Sequence, residues 1–138
     1  MTTAPTGTIV AVDTNLLLRR LLDDDPDQSR KAHAFFSRHR RVLITDIVLA
    51  ETAWTLTGRR YRASRDDIAD TVLALYQNPS ICFEDESVVW AALSDFIDSE
   101  SADFADAMIV NKSKSLGAES VFNFDSGAQA MSGVLNPL

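Results

Sequence analysis

Thr8-Ile9-Val10-Ala11-Val12-Asp13-Thr14-Asn15-Leu16-Leu17-Leu18-Arg19-Arg20-Leu21-Leu22 is the stretch on which the fold turns. The apolar run ending at Val12 reads as a buried strand over Thr8 to Val12. Leu16, Leu17, Leu21 and Leu22, interrupted by Arg19 and Arg20, read as a short helix with one apolar face. Asp13 stands on the junction, at the carboxyl end of the strand, where open α/β sheets build their sites. Three further acids share its apolar setting: Glu51 after Ile47-Val48-Leu49-Ala50, Asp106 within Phe104-Ala105-Asp106-Ala107-Met108, and Asp125 closing Val121-Phe122-Asn123-Phe124.

Outward from that stretch, strands and helices alternate. Asp25 is placed to cap a helix opening at Pro26, with Ala32, Phe35 and Phe36 as its inner face as far as His39. Val42-Leu43-Ile44 and Ile81-Cys82-Phe83 read as short strands. Thr45 or Asp46 opens a helix through Glu51 and Trp54, and Ser64 with Asp67 forms an N-terminal capping pair for Ile68 to Tyr76. Helices from about Ser87 to Ile97 and from Asp103 to near Gly117 precede a last strand over Ser120 to Phe124, and Gly127 to Met131 reads as a final turn. Such an order favours an α/β fold: a mostly parallel sheet flanked by helices through right-handed crossovers.

The chain of 138 residues, 46% hydrophobic and 24% charged, has the length and composition of one domain with a real core. The expectation is a flexible tail over residues 1–7 and a single domain over 8–138. Cys82 has no second cysteine to pair with, and neither a leader peptide nor a membrane-length apolar run is visible. A cytoplasmic protein with no membrane association is therefore expected. The net charge of −7 argues against a general polyanion-binding surface but not against a nucleic-acid enzyme, because clustered acids take divalent cations that also bridge to phosphate.

Asp13 and Asp125 both follow strands and meet at one sheet edge if those strands are neighbours. Glu51 and Asp106 then arrive from helices. Like charges so close repel, so such a set persists by binding cations or by protonating. Hard oxygen ligands without paired Cys or His favour Mg2+, or Mn2+, over zinc. Each acid also has a structural alternative: Asp13 and Asp103 as N-caps, Asp125 as a turn residue, and Glu51 as the partner of a buried Arg on the inner face of its helix. Asp106, inside its helix and on one face with Asp103, lacks that excuse. Trp54 and Trp90 read mostly as core.

Val12-Asp13-Thr14-Asn15 followed by the leucine-rich stretch, then Asp24-Asp25-Pro26, Glu51 with Trp54, Asp103-Phe104-Ala105-Asp106-Ala107 and Phe122-Asn123-Phe124-Asp125, taken in this order nearly end to end, resembles a PIN-domain protein of the VapC toxin type. The resemblance implies a three-layer α/β/α fold and an endoribonuclease dependent on Mg2+ or Mn2+. It also implies the toxin of a type II toxin-antitoxin pair. Carried onto this chain, it makes Asp13, Glu51, Asp106 and Asp125 the catalytic metal ligands, with Asp103 an additional acid and Thr14, Asn15 and Asn123 in support. Asn123 departs from the Thr or Ser often found at its position, though an amide can still hydrogen-bond a carboxylate or phosphate.

In the mechanism implied, cations lower the pKa of a bound water, align it with a phosphodiester and neutralise the leaving oxygen. No Ser-His-Asp set competes, since His33 and His39 read as surface residues. For RNA, Arg38, Arg40 and Arg41, and Arg59, Arg60, Arg62 and Arg65 around Tyr61, offer phosphate contacts and one base-stacking ring; as solvated helix ends they need have no such role. The family resemblance further implies a homodimer and an antitoxin seated in a groove that Leu17, Leu18, Leu21 and Leu22 with Trp54 and Leu56 would line, unless these are core. Two other readings compete: a non-catalytic interaction module of the same fold, disfavoured by the retained acids, and a receiver-type phosphoacceptor domain. Against the latter stand the single acid after the first strand and the missing Lys after the last. A haloacid dehalogenase-type phosphatase is poorer still, lacking the second Asp.

Overall fold

Strand β1 (Val10–Ala11), β2 (Val42–Ile44) and β3 (Ile81–Phe83) lie side by side in sequence order and all run parallel, with Val10 opposite Val42 and Leu43 opposite Cys82. The computed structural model describes residues 7–138, so the expected tail lies outside the described residues except for Gly7. Between the strands come α1 (Thr14–Leu21), α2 (Pro26–Arg38), α3 (Asp46–Thr57) and α4 (Arg65–Gln77), and after them α5 (Glu86–Ser99) and α6 (Phe104–Ser115). The chain closes with β4 (Val121–Phe122), a 3₁₀ turn at Ala128–Ala130 and β5 (Val134–Leu135), which pairs parallel with β4. This is the mostly parallel α/β/α architecture expected, with six α-helices among the described residues.

Local chemistry explains the boundaries. Asp13, Asp25, Thr45, Ser64, Asp85 and Asp103 each accept a backbone N–H from the first turn of the helix they precede, satisfying donors with no partner inside the helix. Ser64 and Asp67 form a reciprocal capping box. Val42 and Ile44 are fully buried in the central strand, and Leu17, Leu49, Ile68, Val89 and Phe104 bring the inner faces of five helices onto the same core.

Two expectations are corrected here. The first and last strands are shorter than their apolar runs, and no ladder joins β1 to β4 among the described residues; the strands form one set of three and one of two. Trp54 and Trp90 are not core: they are 64% and 49% exposed. The inner face of α3 is Leu49, Thr52, Ala53 and Leu56, which leaves Ile47, Glu51 and Trp54 outside.

Candidate active site

The start of α6 and the loop after β4 form the centre of the site. Asp103 Oδ1 accepts the Asp106 N–H at 2.7 Å, so the N-cap orients one acid and places the next a single turn away. After β4, Asn123 Oδ1 accepts the Asp125 N–H at 2.8 Å and Asp125 Oδ1 accepts the Gly127 N–H at 2.9 Å, two successive turns closed by side chains. Gly127 is required by close approach: a Cβ there would stand 2.6 Å from the Ser101 carbonyl oxygen. The Ser101 hydroxyl also donates to the Gly127 carbonyl at 3.2 Å. This contact draws the loop onto the turn before α6, bringing Asp125 towards Asp103 and Asp106.

Arg65 fixes that turn from beneath. Its guanidinium donates to the carbonyls of Ala102 and Phe96, each at 2.7 Å, and lies over the Phe96 ring at 4.1 Å. The Phe96 carbonyl belongs to the last turn of α5, where a cation is favoured. Grouped by sequence with the residues offered to RNA, Arg65 is instead partly buried and committed to two carbonyls of its own chain. Nothing in its spacing signals this, since its partners lie more than thirty positions away.

Asp106 is half-buried, and its carboxyl is held above the ordinary range. Burial is the largest cause, followed by the negative charges of Asp103 and Asp125; a side-chain hydrogen bond from Asn123 acts the other way. A carboxylate in this setting gains from any cation that enters. Among the described residues no three acids converge closely enough to form a ready-made metal cage. Mg2+ does not need one, since it is commonly held by one or two carboxylates with water completing the octahedron. The all-oxygen donor set, and a charge on Asp106 that Asn123 relieves only in part, therefore fit a hard divalent cation.

Asp13 and Glu51 stand on separate elements and are not among the groups that act on Asp106. Asp13 is exposed and caps α1, accepting the Leu16 N–H at 2.8 Å, with Thr14 opening the helix and Asn15 exposed beside it. Glu51 lies on the outer face of α3, not on the inner face expected, because α3 is apolar on nearly every side and turns Leu49, Thr52, Ala53 and Leu56 to the core. Helix α3 packs against both α1 and α6, the helices that carry the other acids.

A second acid group went unrecognised in the sequence. Lys112 Nζ lies 3.1 Å from both Asp46 Oδ2 and Glu84 Oε2, and Glu84 Oε1 accepts the Asp46 N–H at 3.1 Å. Hydrogen bonding to Asp46 and Glu84 raises the Lys112 pKa, and the Asp46 N–H, then Lys112, lowers that of Glu84. Here the negative charge is compensated by a lysine. Around Asp106 the dominant influences are burial and two more carboxylates.

The basic residues divide. Arg40 and Arg41 lead into β2, at the sheet edge opposite the one that Asp13 follows, and Arg41 donates to the Gly7 carbonyl at 3.1 Å. Arg38 closes α2 beside them. Arg59, Arg60 and Arg62 follow α3, and Tyr61 among them is engaged: its hydroxyl donates to Asp24 at 3.0 Å, Arg19 pairs with Asp24 at 2.8 Å, and Arg60 covers its ring. Leu17, Leu18 and Leu56 are core, so the groove expected from them does not exist as such. A cleft of about 320 Å³ lies instead between α1, α2 and α4, lined by Arg20, Leu21, Phe36, Leu75 and Asn78. No described helix is long and apolar enough to cross a membrane.

Comparison with known proteins places the chain in a family. Residues 10–134 match the family model described as PIN domain. No curated protein matches the chain.

Proposed function

The chain belongs to the PIN domain family, a fold of nuclease type, and from that premise we propose that it is an endoribonuclease dependent on Mg2+ or Mn2+, the toxin of a type II toxin-antitoxin pair of the VapC kind. The observation that carries the reading is the Asp106 carboxyl, half-buried and raised by burial beside Asp103 and Asp125, a charge arrangement that a cation relieves.

Asp106 and Asp125 would hold the cation with Asp13 and Glu51, and Asp103 orients Asp106 through the N-cap. When bound, the cation supplies a Lewis acid that activates water and neutralises charge on the phosphate. Asn123 steadies Asp106 and Asp125 together. Thr14 and Asn15, at the opening of α1, would orient Asp13 or contact the scissile phosphate. Phosphates flanking the cut would meet Arg59, Arg60 and Arg62. Arg38, Arg40 and Arg41 serve a strand long enough to reach the far sheet edge.

Two partners complete the reading. An antitoxin segment would occupy the cleft between α1, α2 and α4, whose apolar floor and polar rim suit a peptide. A second copy would cover the aliphatic strip where Ile47, Ile109 and Leu116, 75%, 54% and 77% exposed, stand on α3 and at the end of α6.

The test is cleavage of a pool of structured RNAs by the purified chain in Mg2+, Mn2+ and EDTA. Cleavage is expected in both metals and absent in EDTA. A folded chain that cuts no RNA in either metal would overturn the ribonuclease reading in favour of a non-catalytic interaction module.

A further inference from the structure

Tyr61, the ring that sequence reasoning offered to an RNA base, is covered by Arg60 and tied to Asp24. Trp54 is in the opposite condition. It is 64% exposed on the outer face of α3, one turn from Glu51 and within about 60° of arc of both Ile47 and Glu51 at 3.6 residues per turn. Its other flank borders Asp103 and Ala105 at the start of α6. A large aromatic ring thus lies open to solvent between two of the acids proposed to serve the cut.

We infer that Trp54 is a stacking platform for an unpaired base of the RNA strand being cut. The inference rests on the ribonuclease reading and deepens it. The surroundings select this occupant. A protein surface seated on Trp54 would have to bury Glu51 beside it, and burying a carboxylate without a compensating partner is costly. The second copy proposed on the Ile47 strip would bring more of the same acids if it extended to Trp54, about two turns further along α3. An RNA strand presents a base face to the ring and carries its cation to the carboxylates.

Charge supports the same choice. With a net charge of −7 and acids at the centre, this chain lacks the broad cationic surface that usually dominates RNA affinity. Stacking, which depends little on salt and only weakly on base identity, then carries a larger share of binding. A base held in a duplex cannot offer its face to a ring.

The test compares wild type, Trp54→Ala and Trp54→Phe, using binding of a labelled single-stranded oligoadenylate in Mg2+, the same strand annealed to oligouridylate, and kcat and KM for cleavage of a single-stranded RNA. Trp54→Ala is expected to weaken single-strand binding by about 5- to 100-fold, the range for losing one base–aromatic stack. KM should rise with it while kcat changes by less than about twofold, as for a contact equally strong in ground and transition states. Trp54→Phe should recover most of the affinity, and duplex binding should be weak in all three.

Unchanged single-strand binding in Trp54→Ala overturns the platform, as does a shift in oligomeric state with RNA affinity intact, which would make Trp54 part of a protein interface. Trp54-dependent binding by a wild type that cuts no RNA would sustain the platform and overturn the ribonuclease.

Discussion

Replacing Asp106 by Asn is expected to abolish metal-dependent RNA cleavage while making the metal-free protein more stable at neutral pH. The first effect follows from removing the charge at the centre of the donor set. The rate should fall by at least about 100-fold, the scale of one preorganised electrostatic contribution. The second follows from linkage. The Asp106 carboxyl is raised above its ordinary value of 3.8 by burial and by Asp103 and Asp125, so the folded state holds this proton more tightly than the unfolded chain. Stability therefore declines as pH rises from below 3.8 through the folded-state pKa, and above it the penalty is complete. Asn has the same shape and no charge to desolvate. Melting curves across this pH range, in EDTA, should show the largest gain for Asp106→Asn above the folded-state pKa and little gain at the acid end. A variant less stable than wild type throughout would mean that Asp106 serves the fold and not a cation.

Arg65→Ala is expected to cost about 3 kcal/mol of stability, from two charge-assisted hydrogen bonds in a partly buried setting, and to reduce cleavage well beyond the unfolded fraction. The guanidinium joins the last turn of α5 to Ala102, the residue before Asp103. Without it each carbonyl loses a charged donor, the Phe96 carbonyl keeping the Ser99 hydroxyl at 3.5 Å, and the turn before Asp103 loses its support. Arg65→Lys should restore little, since an ammonium cannot reproduce the planar fork that meets both carbonyls while lying over Phe96. Denaturant unfolding gives the stability change, and rates per folded molecule give the rest. Near-wild-type stability in Arg65→Ala would return Arg65 to the solvent-facing role its sequence neighbourhood suggests.

Much of this site was legible in the sequence where local chemistry decides. The strands Val42–Ile44 and Ile81–Phe83, the Ser64–Asp67 capping box and the caps at Asp25 and Asp103 follow from neighbours within a few residues. Pairing Asp103 with Asp106 needed only one helical turn, whereas the α/β alternation placed Asp125 beside Asp13 at a shared sheet edge, and no ladder makes β1 and β4 neighbours among the described residues. Features set by distant contacts were not legible. In α3 apolar residues occur on every side, so periodicity could not tell that Glu51 and Trp54 face outward. Arg65, Tyr61 and Lys112 look like surface residues until partners about thirty or more positions away are known. The short strand β5 was missed because Val134–Leu135 lies among Gly133, Asn136 and Pro137, residues that read as loop.

The sharpest single test of a metal-seeking centre is the direct titration of Mn2+ into the purified chain, free ion being read by electron paramagnetic resonance, with wild type and Asp106→Asn in parallel. The expected result is saturable binding by wild type that Asp106→Asn loses, with no RNA present. Equal binding by both, or by neither, would contradict the claim that Asp106, crowded by Asp103 and Asp125, is built to hold a cation.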